Sequence, residues 1–296
     1  GMGKEFYEQI PICKEVYDLA SEVTGLDIPA LCFEENEKIN ITEYTQICML
    51  ATEAAIYMAL EQNGYQPDVT AGLSLGEYGA LIASGVMTAE EAFELVRKRG
   101  IFMQEAVPAG GAMAAVLGLD AAAIEQICRD TAEQTGSEVS IANYNCPGQI
   151  VISGKKAAVE EACEKLKAAG AKRAIMLNVS GPFHSGMLVG AGEKLGKVLE
   201  NVEIHKPVIP YAANVTAQYV TEAEPVKDLL VKQVSSSVKW QQCVETMLAD
   251  GVDTFIEIGP GKTLAGFMRK IDRSVKTLNV EKLEDIEKVV EALKEA

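Results

Sequence analysis

Apolar positions recur along this chain in two rhythms, one helical and one of short strands, and their order predicts the layout of the fold. Residues 1–66 read as helices with one irregular stretch. The run from Thr42 through Leu60, rich in Ala, Leu, Ile and Met, is helix-compatible until Gly64 and Pro67 stop it. Asp68-Val69-Thr70-Ala71 predicts a short strand ending near Ala71. Leu75, Tyr78, Leu81 and Ile82 then fall at helical spacing, as in a helix packed on a sheet, and Gly85 ends it. Thr88-Ala89-Glu90-Glu91 is a capping box: the Thr88 hydroxyl can accept from the Glu91 N–H while the Glu91 side chain reaches back. It predicts a helix running to about Arg99.

The order changes after Pro108-Ala109-Gly110-Gly111. Ala112–Leu117 reads as a strand, Asp120–Gln134 as a helix, and Val139–Asn143 and Gln149–Ser153 as strands around a Pro147-Gly148 turn. Lys155–Ala169 follows as a helix and Arg173–Val179 as a strand. The order β-α-β-β-α-β is the split-βαβ signature. It predicts a small domain over residues 111–180, inserted between residues 1–110 and 181–296 of a larger α/β domain. The larger domain resumes with a helix over Met187–Val198, a strand within Pro207–Asn214 and helices over Pro225–Ser235 and Gln241–Leu248. The strand Val252–Ile258 is closed by Gly259-Pro260-Gly261, a short helix starts in Thr263–Met268, and Glu284–Ala296 is a charged amphipathic helix. Strands alternating with helices make a mostly parallel sheet covered by helices the natural layout.

Composition narrows the function. The formal net charge of -16 repels nucleic acid, so that class of partner is disfavoured. No apolar run reaches the length needed to cross a bilayer, and the opening residues Gly1-Met2-Gly3-Lys4-Glu5-Phe6 carry no signal-peptide core. The 7 scattered cysteines have no Cys-x-x-Cys spacing, which fits reduced, buried thiols in a cytoplasmic protein. With 2 histidines in the chain, a histidine-rich metal centre is excluded. An anionic partner would need a local basic exception. Lys155-Lys156, Lys165, Lys167 and Lys172-Arg173 are the candidates, against the plainer reading that they are solvated helix surface.

The chemistry concentrates in Gly72-Leu73-Ser74-Leu75-Gly76. A Gly-x-Ser-x-Gly between a strand and a helix is a nucleophile elbow, with Gly72 and Gly76 leaving room for the turn. It lifts the Ser74 hydroxyl to a helix start whose free N–H groups favour negative charge. Ser74 needs a base, and His184, in Gly181-Pro182-Phe183-His184-Ser185 just past a strand end, is a better candidate than His205 in its polar surroundings. No Asp or Glu stands out behind His184; the physical requirement is only an acceptor that fixes the ring tautomer. Arg99 is the second lead. A guanidinium in the Ser74 cleft would select an acyl group with a free carboxylate, whereas an arginine at a helix end is also ordinary surface. These residues point to serine acyl chemistry and leave hydrolysis and transfer both open.

Further motifs lie along the chain: Arg99-Gly100, Asn143-Tyr144-Asn145-Cys146-Pro147-Gly148-Gln149, Ala213-Asn214-Val215-Thr216, Gln233 before Val238-Lys239-Trp240, and Glu257-Ile258-Gly259-Pro260-Gly261. With the elbow and the His184 loop, in this order and spacing, the sequence closely resembles the malonyl-CoA:acyl carrier protein transacylases of fatty acid synthesis over nearly its whole length. It resembles the acyltransferase domains of polyketide synthases more distantly. The resemblance implies a hydrolase-like α/β domain with an inserted ferredoxin-like α+β subdomain and the active site between them. It implies Ser74 as the acylated nucleophile, His184 as its base and Gln233 as the residue whose main-chain carbonyl orients the histidine. Arg99 would clamp the malonyl carboxylate and the Leu75 N–H would form part of the oxyanion hole. Phe183 matches the position associated with a small extender, and Asn143 and Asn145 would support the site from the small domain. The implied substrates are malonyl-CoA and acyl carrier protein, with no cofactor, metal or membrane.

Two departures carry expectations of their own. Family members begin with a strand and a Gly-Gln-Gly-Ser-Gln-like loop ahead of a Gly-Met-Gly, and the present sequence opens at Gly1-Met2-Gly3. A protein without that loop is expected to lack a core strand and an oxyanion donor, the latter worth about 3 kcal/mol. Leu73 stands where many relatives have histidine, which predicts altered packing rather than lost activity. The rival readings are a serine esterase or thioesterase, a polyketide-pathway acyltransferase with another extender, and a carrier-protein-docking subunit without catalysis.

Overall fold

The structure, a computed structural model, describes residues 1–179 and 181–295; Ser180, at the end of the expected small domain, and Ala296, the expected end of the last helix, lie outside them. The helix Thr42–Gln62 is the spine of the main core. It buries Ile47, Leu50, Ala51, Ala54, Ile56 and Ala59, so apolar residues occupy most of its circumference, as a helix enclosed by others requires. The helices Pro11–Thr24 and Ala89–Ala106 pack on it, with Tyr17, Phe93, Leu95 and Val96 buried between them.

The capping box at Thr88 forms with both bonds: Thr88 Oγ1 accepts from the Glu91 N–H at 3.2 Å, and Glu91 Oε1 accepts from the Thr88 N–H at 3.2 Å. Replacing Thr88 with alanine is expected to lower stability by about 1 kcal/mol in denaturant unfolding and to leave activity unchanged. The helix it starts runs beyond the predicted end at Arg99 to Ala106. Gly100 does not terminate it. A Cβ there would come within 3.0 Å of Glu43 Cα, so the glycine lets two helices approach closely.

Residues 111–176 form a four-stranded antiparallel sheet from β2 (Gly111–Leu117), β3 (Val139–Cys146), β4 (Gln149–Lys155) and β5 (Arg173–Met176), preceded in the chain by β1 (Thr70–Ala71). Its order, β3-β4-β2-β5, with the helices Ala121–Thr135 and Lys156–Ala168 packed on it, is the ferredoxin-like arrangement. It has an apolar core of its own, including Val116, Ile124, Ile152, Val159 and Leu166. Register shifts in β3 between Ile141 and Asn143 and between Tyr144 and Cys146 bend its free edge. There it meets the rest of the molecule: the Tyr144 N–H donates to Val238 O at 2.9 Å and the Val238 N–H to Ala142 O at 2.7 Å.

Elsewhere β1 pairs in parallel with β6 (Tyr211–Ala212), β6 pairs antiparallel with β7 (Tyr219–Val220), and β8 (Thr254–Ile258) pairs in parallel with β9 (Lys276–Val280). The pairing is mostly parallel, as expected, but divided between two short sheets. The sequence pattern does not predict strands β7 and β9. The expected Met187–Val198 helix is a 3-10 turn, Gly186–Leu188, followed by the helix Val189–Leu199. All the cysteines are free and buried.

Strand register also divides the basic cluster read from the sequence. Lys155 pairs with Gly111 at one end of β2, and Arg173 pairs with Leu117 at the other. Six residues of strand separate these ends by about 20 Å. Lys165 and Lys167 are engaged by Glu161 and Glu164 on their own helix. The six residues therefore do not make one patch. Only the Lys155-Lys156 end adjoins the His184 loop, because Gly111 packs directly on Pro182.

Candidate active site

The elbow begins where β1 ends. Gly72 is compelled by space, since a Cβ there would lie 1.9 Å from Gly76 O and 2.5 Å from the Glu77 nitrogen. Gly76 is not so constrained: a Cβ at that position would meet nothing within 4 Å, so the turn needs one glycine rather than two. Ser74 adopts a left-handed backbone (φ 55), uncommon for a residue with a Cβ, and the helix Gly76–Ala83 starts two residues later. The turn is closed by Gly76 N–H to Leu73 O at 3.0 Å and Glu77 N–H to Ser74 O at 3.1 Å. Asn214 braces it from the end of β6, accepting from the Ser74 N–H at 2.8 Å and donating to Gly72 O at 2.8 Å. The Leu75 N–H takes no backbone or side-chain acceptor among the described residues, which leaves it available to a developing oxyanion.

His184 lies 110 positions further along the chain, also with a left-handed backbone (φ 56), and is buried. Its Nε2 is 2.8 Å from Ser74 Oγ and its Nδ1 is 2.8 Å from the main-chain carbonyl of Gln233. A carbonyl only accepts, so the proton resides on Nδ1 and the Nε2 lone pair faces the serine hydroxyl. Burial, and then the Arg99 charge, lower the His184 pKa from 6.5 to about 4, while hydrogen bonds to the Gln233 and Ser236 backbones oppose the shift. The ring is therefore neutral across the physiological range. Since the unfolded ring protonates near 6.5 and the folded one near 4, the unfolded state binds more protons in that window. This group accordingly makes folding less favourable as pH falls through it. With only 2 histidines, a His205→Ala chain leaves a single imidazole signal for NMR. That signal is expected to remain neutral from pH 8 down to about pH 5. A midpoint at or above the ordinary histidine value would contradict the burial argument.

Arg99 is in the interior, 1% exposed, and not on the surface that a helix end would offer. Its Nη1 donates to Gln46 Oε1 at 2.7 Å and its Nη2 to Gln233 Oε1 at 2.9 Å. The same Nη2 is 3.3 Å from Ser74 Oγ, and the guanidinium lies 5.3 Å from the Tyr78 ring centroid. Burial lowers its pKa, and Tyr78 and Glu77 oppose that shift. Glu77, 1% exposed, is pushed up to about 7, chiefly by burial, against the Asn214 N–H and the Arg99 charge.

The structure thus brings Ser74, His184, Gln233 and Arg99 into direct contact. Phe183 is half-buried beside His184 and packs over Gly181. Asn143 and Asn145 are on the bent edge of β3, without a hydrogen bond to Ser74, His184 or Arg99; Asn145 Oδ1 is buried and has no partner among the described residues. His205 is outside the site, with Glu203 at 4.0 Å. Leu73 joins an apolar cluster with Val238 and Trp240, in keeping with a packing role. Three participants carry no role in the sequence reading: Gln46, Glu77 and Asn214. Gln46 has no distinguishing signal, because Thr42, Glu43, Thr45, Thr52 and Glu53 are polar residues of the same helix. Glu77 and Asn214 both stand inside motifs already singled out. Among the described residues, no helix is long and apolar enough to cross a membrane, and no cluster of three or more metal-capable side chains occurs.

An elbow serine, a histidine held by a carbonyl and a buried guanidinium thus meet at one hydroxyl, on a fold shared with acyltransferases. Residues 1–289 match the acyl transferase domain model, and the chain belongs to that family. Among curated relatives, malonyl CoA-acyl carrier protein transacylase of Bacillus subtilis (strain 168) is 47% identical over 297 residues, covering 100% of this chain and 93% of the relative. The crystal structure of the transacylase of that name from Clostridium perfringens superposes with a TM-score of 0.96 at 44% identity, covering 100% of this chain and 93% of that one. A type II PKS acyl-carrier protein in complex with its malonyl-transacylase matches with a TM-score of 0.95 at 39% identity, covering 99% of this chain and 95% of that one.

Proposed function

We propose that this chain transfers a malonyl group from malonyl-CoA to the phosphopantetheine thiol of acyl carrier protein in two half-reactions. The observation that carries this reading is the contact of both His184 Nε2, at 2.8 Å, and Arg99 Nη2, at 3.3 Å, with one hydroxyl, Ser74 Oγ. A base explains a nucleophile. A buried cation beside that nucleophile explains an acyl group that carries its own carboxylate.

In the first half-reaction the Ser74 proton passes to His184 Nε2 as Oγ attacks the thioester carbon. The oxyanion is held by the Leu75 N–H and, on collapse, the carbon–sulfur bond breaks. CoA leaves as a thiol after taking the proton from His184. The malonyl ester on Ser74 then rests with its carboxylate against Arg99. In the second half-reaction His184 takes the proton of the carrier thiol, sulfur attacks the ester carbon, and the Ser74 oxygen leaves with that proton. The Gln233 carbonyl orients the imidazole but, being uncharged, stabilises imidazolium less than a carboxylate would. Phe183 narrows the acyl pocket, and Asn143 and Asn145 support it from β3. The reaction uses no cofactor, and the protein acts in the cytoplasm. Residues 111–180 form the small domain and residues 1–110 and 181–296 the large one; the separate apolar core under the four-stranded sheet supports this division.

A thiol acceptor separates this function from an esterase. With malonyl-CoA and holo acyl carrier protein, CoA release is expected to match malonyl-carrier formation, whereas free malonate as the main product would establish hydrolysis. Acyl carrier proteins are acidic, as is this chain, so docking requires a basic exception. The Lys155-Lys156 end, beside the His184 loop, meets that need. Changing both to Glu is expected to raise the carrier-protein KM about tenfold and leave the malonyl-CoA KM unaltered. An unchanged carrier KM would remove that end as the docking face.

A further inference from the structure

Glu77 is a buried carboxylate in the first turn of the elbow helix and takes no part in the steps above. Its Oε1 accepts from the Asn214 N–H at 2.6 Å and its Oε2 from Gln233 Nε2 at 3.2 Å. The same Nε2 faces Ser74 O at 2.9 Å and Asn214 Oδ1 at 3.2 Å. At the other end of that amide, Gln233 Oε1 accepts from Arg99 Nη2 at 2.9 Å. An amide has one donating end and one accepting end. Three oxygens on one side and a guanidinium on the other therefore allow only one orientation.

We propose that Glu77 is a positioning residue for acyl selectivity: through the Gln233 amide it holds the Arg99 guanidinium over Ser74, and so sets the preference for acyl groups that end in a carboxylate. A carboxylate bonded directly to Arg99 would compete with the substrate for the same N–H groups. A neutral amide placed between the two fixes the guanidinium while leaving its charge to the substrate. The Gln233 main-chain carbonyl, which orients His184, is untouched by the side-chain orientation, so the arrangement separates selectivity from base catalysis. The inference rests on the malonyl-transfer reading.

Glu77→Gln tests it. The new amide has one accepting end for two donors, so either the Asn214 N–H or the Gln233 amide now faces an N–H in place of an oxygen. Either loss loosens the cluster of Asn214, Gln233 and Ser74 O on which the guanidinium rests, and Arg99 shifts from its seat. The expected result is a drop of about 10²-fold in kcat/KM for malonyl-CoA, the penalty of a small misplacement. Transfer from acetyl-CoA, measured on the same preparation, should change less than about threefold, since its acyl group makes no use of Arg99. Gln233→Met keeps the main-chain carbonyl and removes the amide, so it is expected to lower the malonyl-to-acetyl ratio at least as far, and adding Glu77→Gln to it should lower that ratio no further. If Glu77→Gln does not fold, Gln233→Met carries the test alone. Parallel losses with both thioesters, or an unchanged ratio, would overturn the proposal. Failure of the unmodified chain to take up malonyl at all would instead overturn the reading beneath it.

Discussion

A Ser74→Ala chain is expected to lose malonyl transfer by a factor on the order of 10⁶, the size of loss seen when a hydroxyl nucleophile is removed from a working serine–histidine pair. The reasoning is local. Ser74 Oγ is the hydroxyl in contact with both His184 and Arg99, so among the described residues it is the one placed to take the acyl group. Its removal also leaves the elbow intact, because the Asn214 bonds are made to the Ser74 N–H and to Gly72 O rather than to the hydroxyl. The altered protein should therefore fold normally and still bind malonyl-CoA. Steady-state transfer together with a thermal melt measures both halves of this expectation, and residual activity within tenfold of the parent would refute the nucleophile role.

Arg99→Ala is the second large effect, and it divides by substrate. Removing a charge-assisted partner from a buried carboxylate costs about 3–5 kcal/mol, so malonyl transfer should fall by on the order of 10²–10⁴. Acetyl transfer should be nearly spared. The substitution also strands the Gln46 and Gln233 side-chain oxygens, each an unpaired buried acceptor costing about 1–3 kcal/mol, so a lower melting temperature should accompany it. A third consequence concerns His184. The Arg99 charge is one of the causes lowering its pKa, so the ring should titrate at a higher pH in the variant, although burial still keeps it below the free value. Equal losses for the two thioesters would remove the clamp.

How much of this is legible in the amino-acid sequence depends on the range of the interaction. The elbow is local: a strand, a glycine compelled by its own next turn and a helix start lie within ten residues, and the motif declares them. The pairing of Ser74 with His184 is long-range, but with two histidines in the chain the choice is small. The ferredoxin-like sheet is also legible, because strand and helix rhythms follow one another without interruption from Gly111 to Met176. Arg99 is ambiguous for a definite reason. The sequence pattern ends the helix near Arg99, and only the close packing of Gly100 on Glu43 shows that it continues and carries Arg99 into the interior. The network under the site is out of reach. Glu77 meets Asn214 across 137 positions and Gln233 across 156, and no spacing rule spans such distances. The division of the lysine cluster is a matter of register, which decides whether neighbours in sequence stand at the same end of a sheet or at opposite ends.

The most direct test is to mix the protein briefly with malonyl-CoA, without a thiol acceptor, and to locate the adduct by intact mass and peptide mapping. One malonyl group per chain, carried on the peptide containing Ser74 and discharged when holo acyl carrier protein is added, is the predicted result. A chain that stays unmodified, or that carries the group on any other residue, would contradict it.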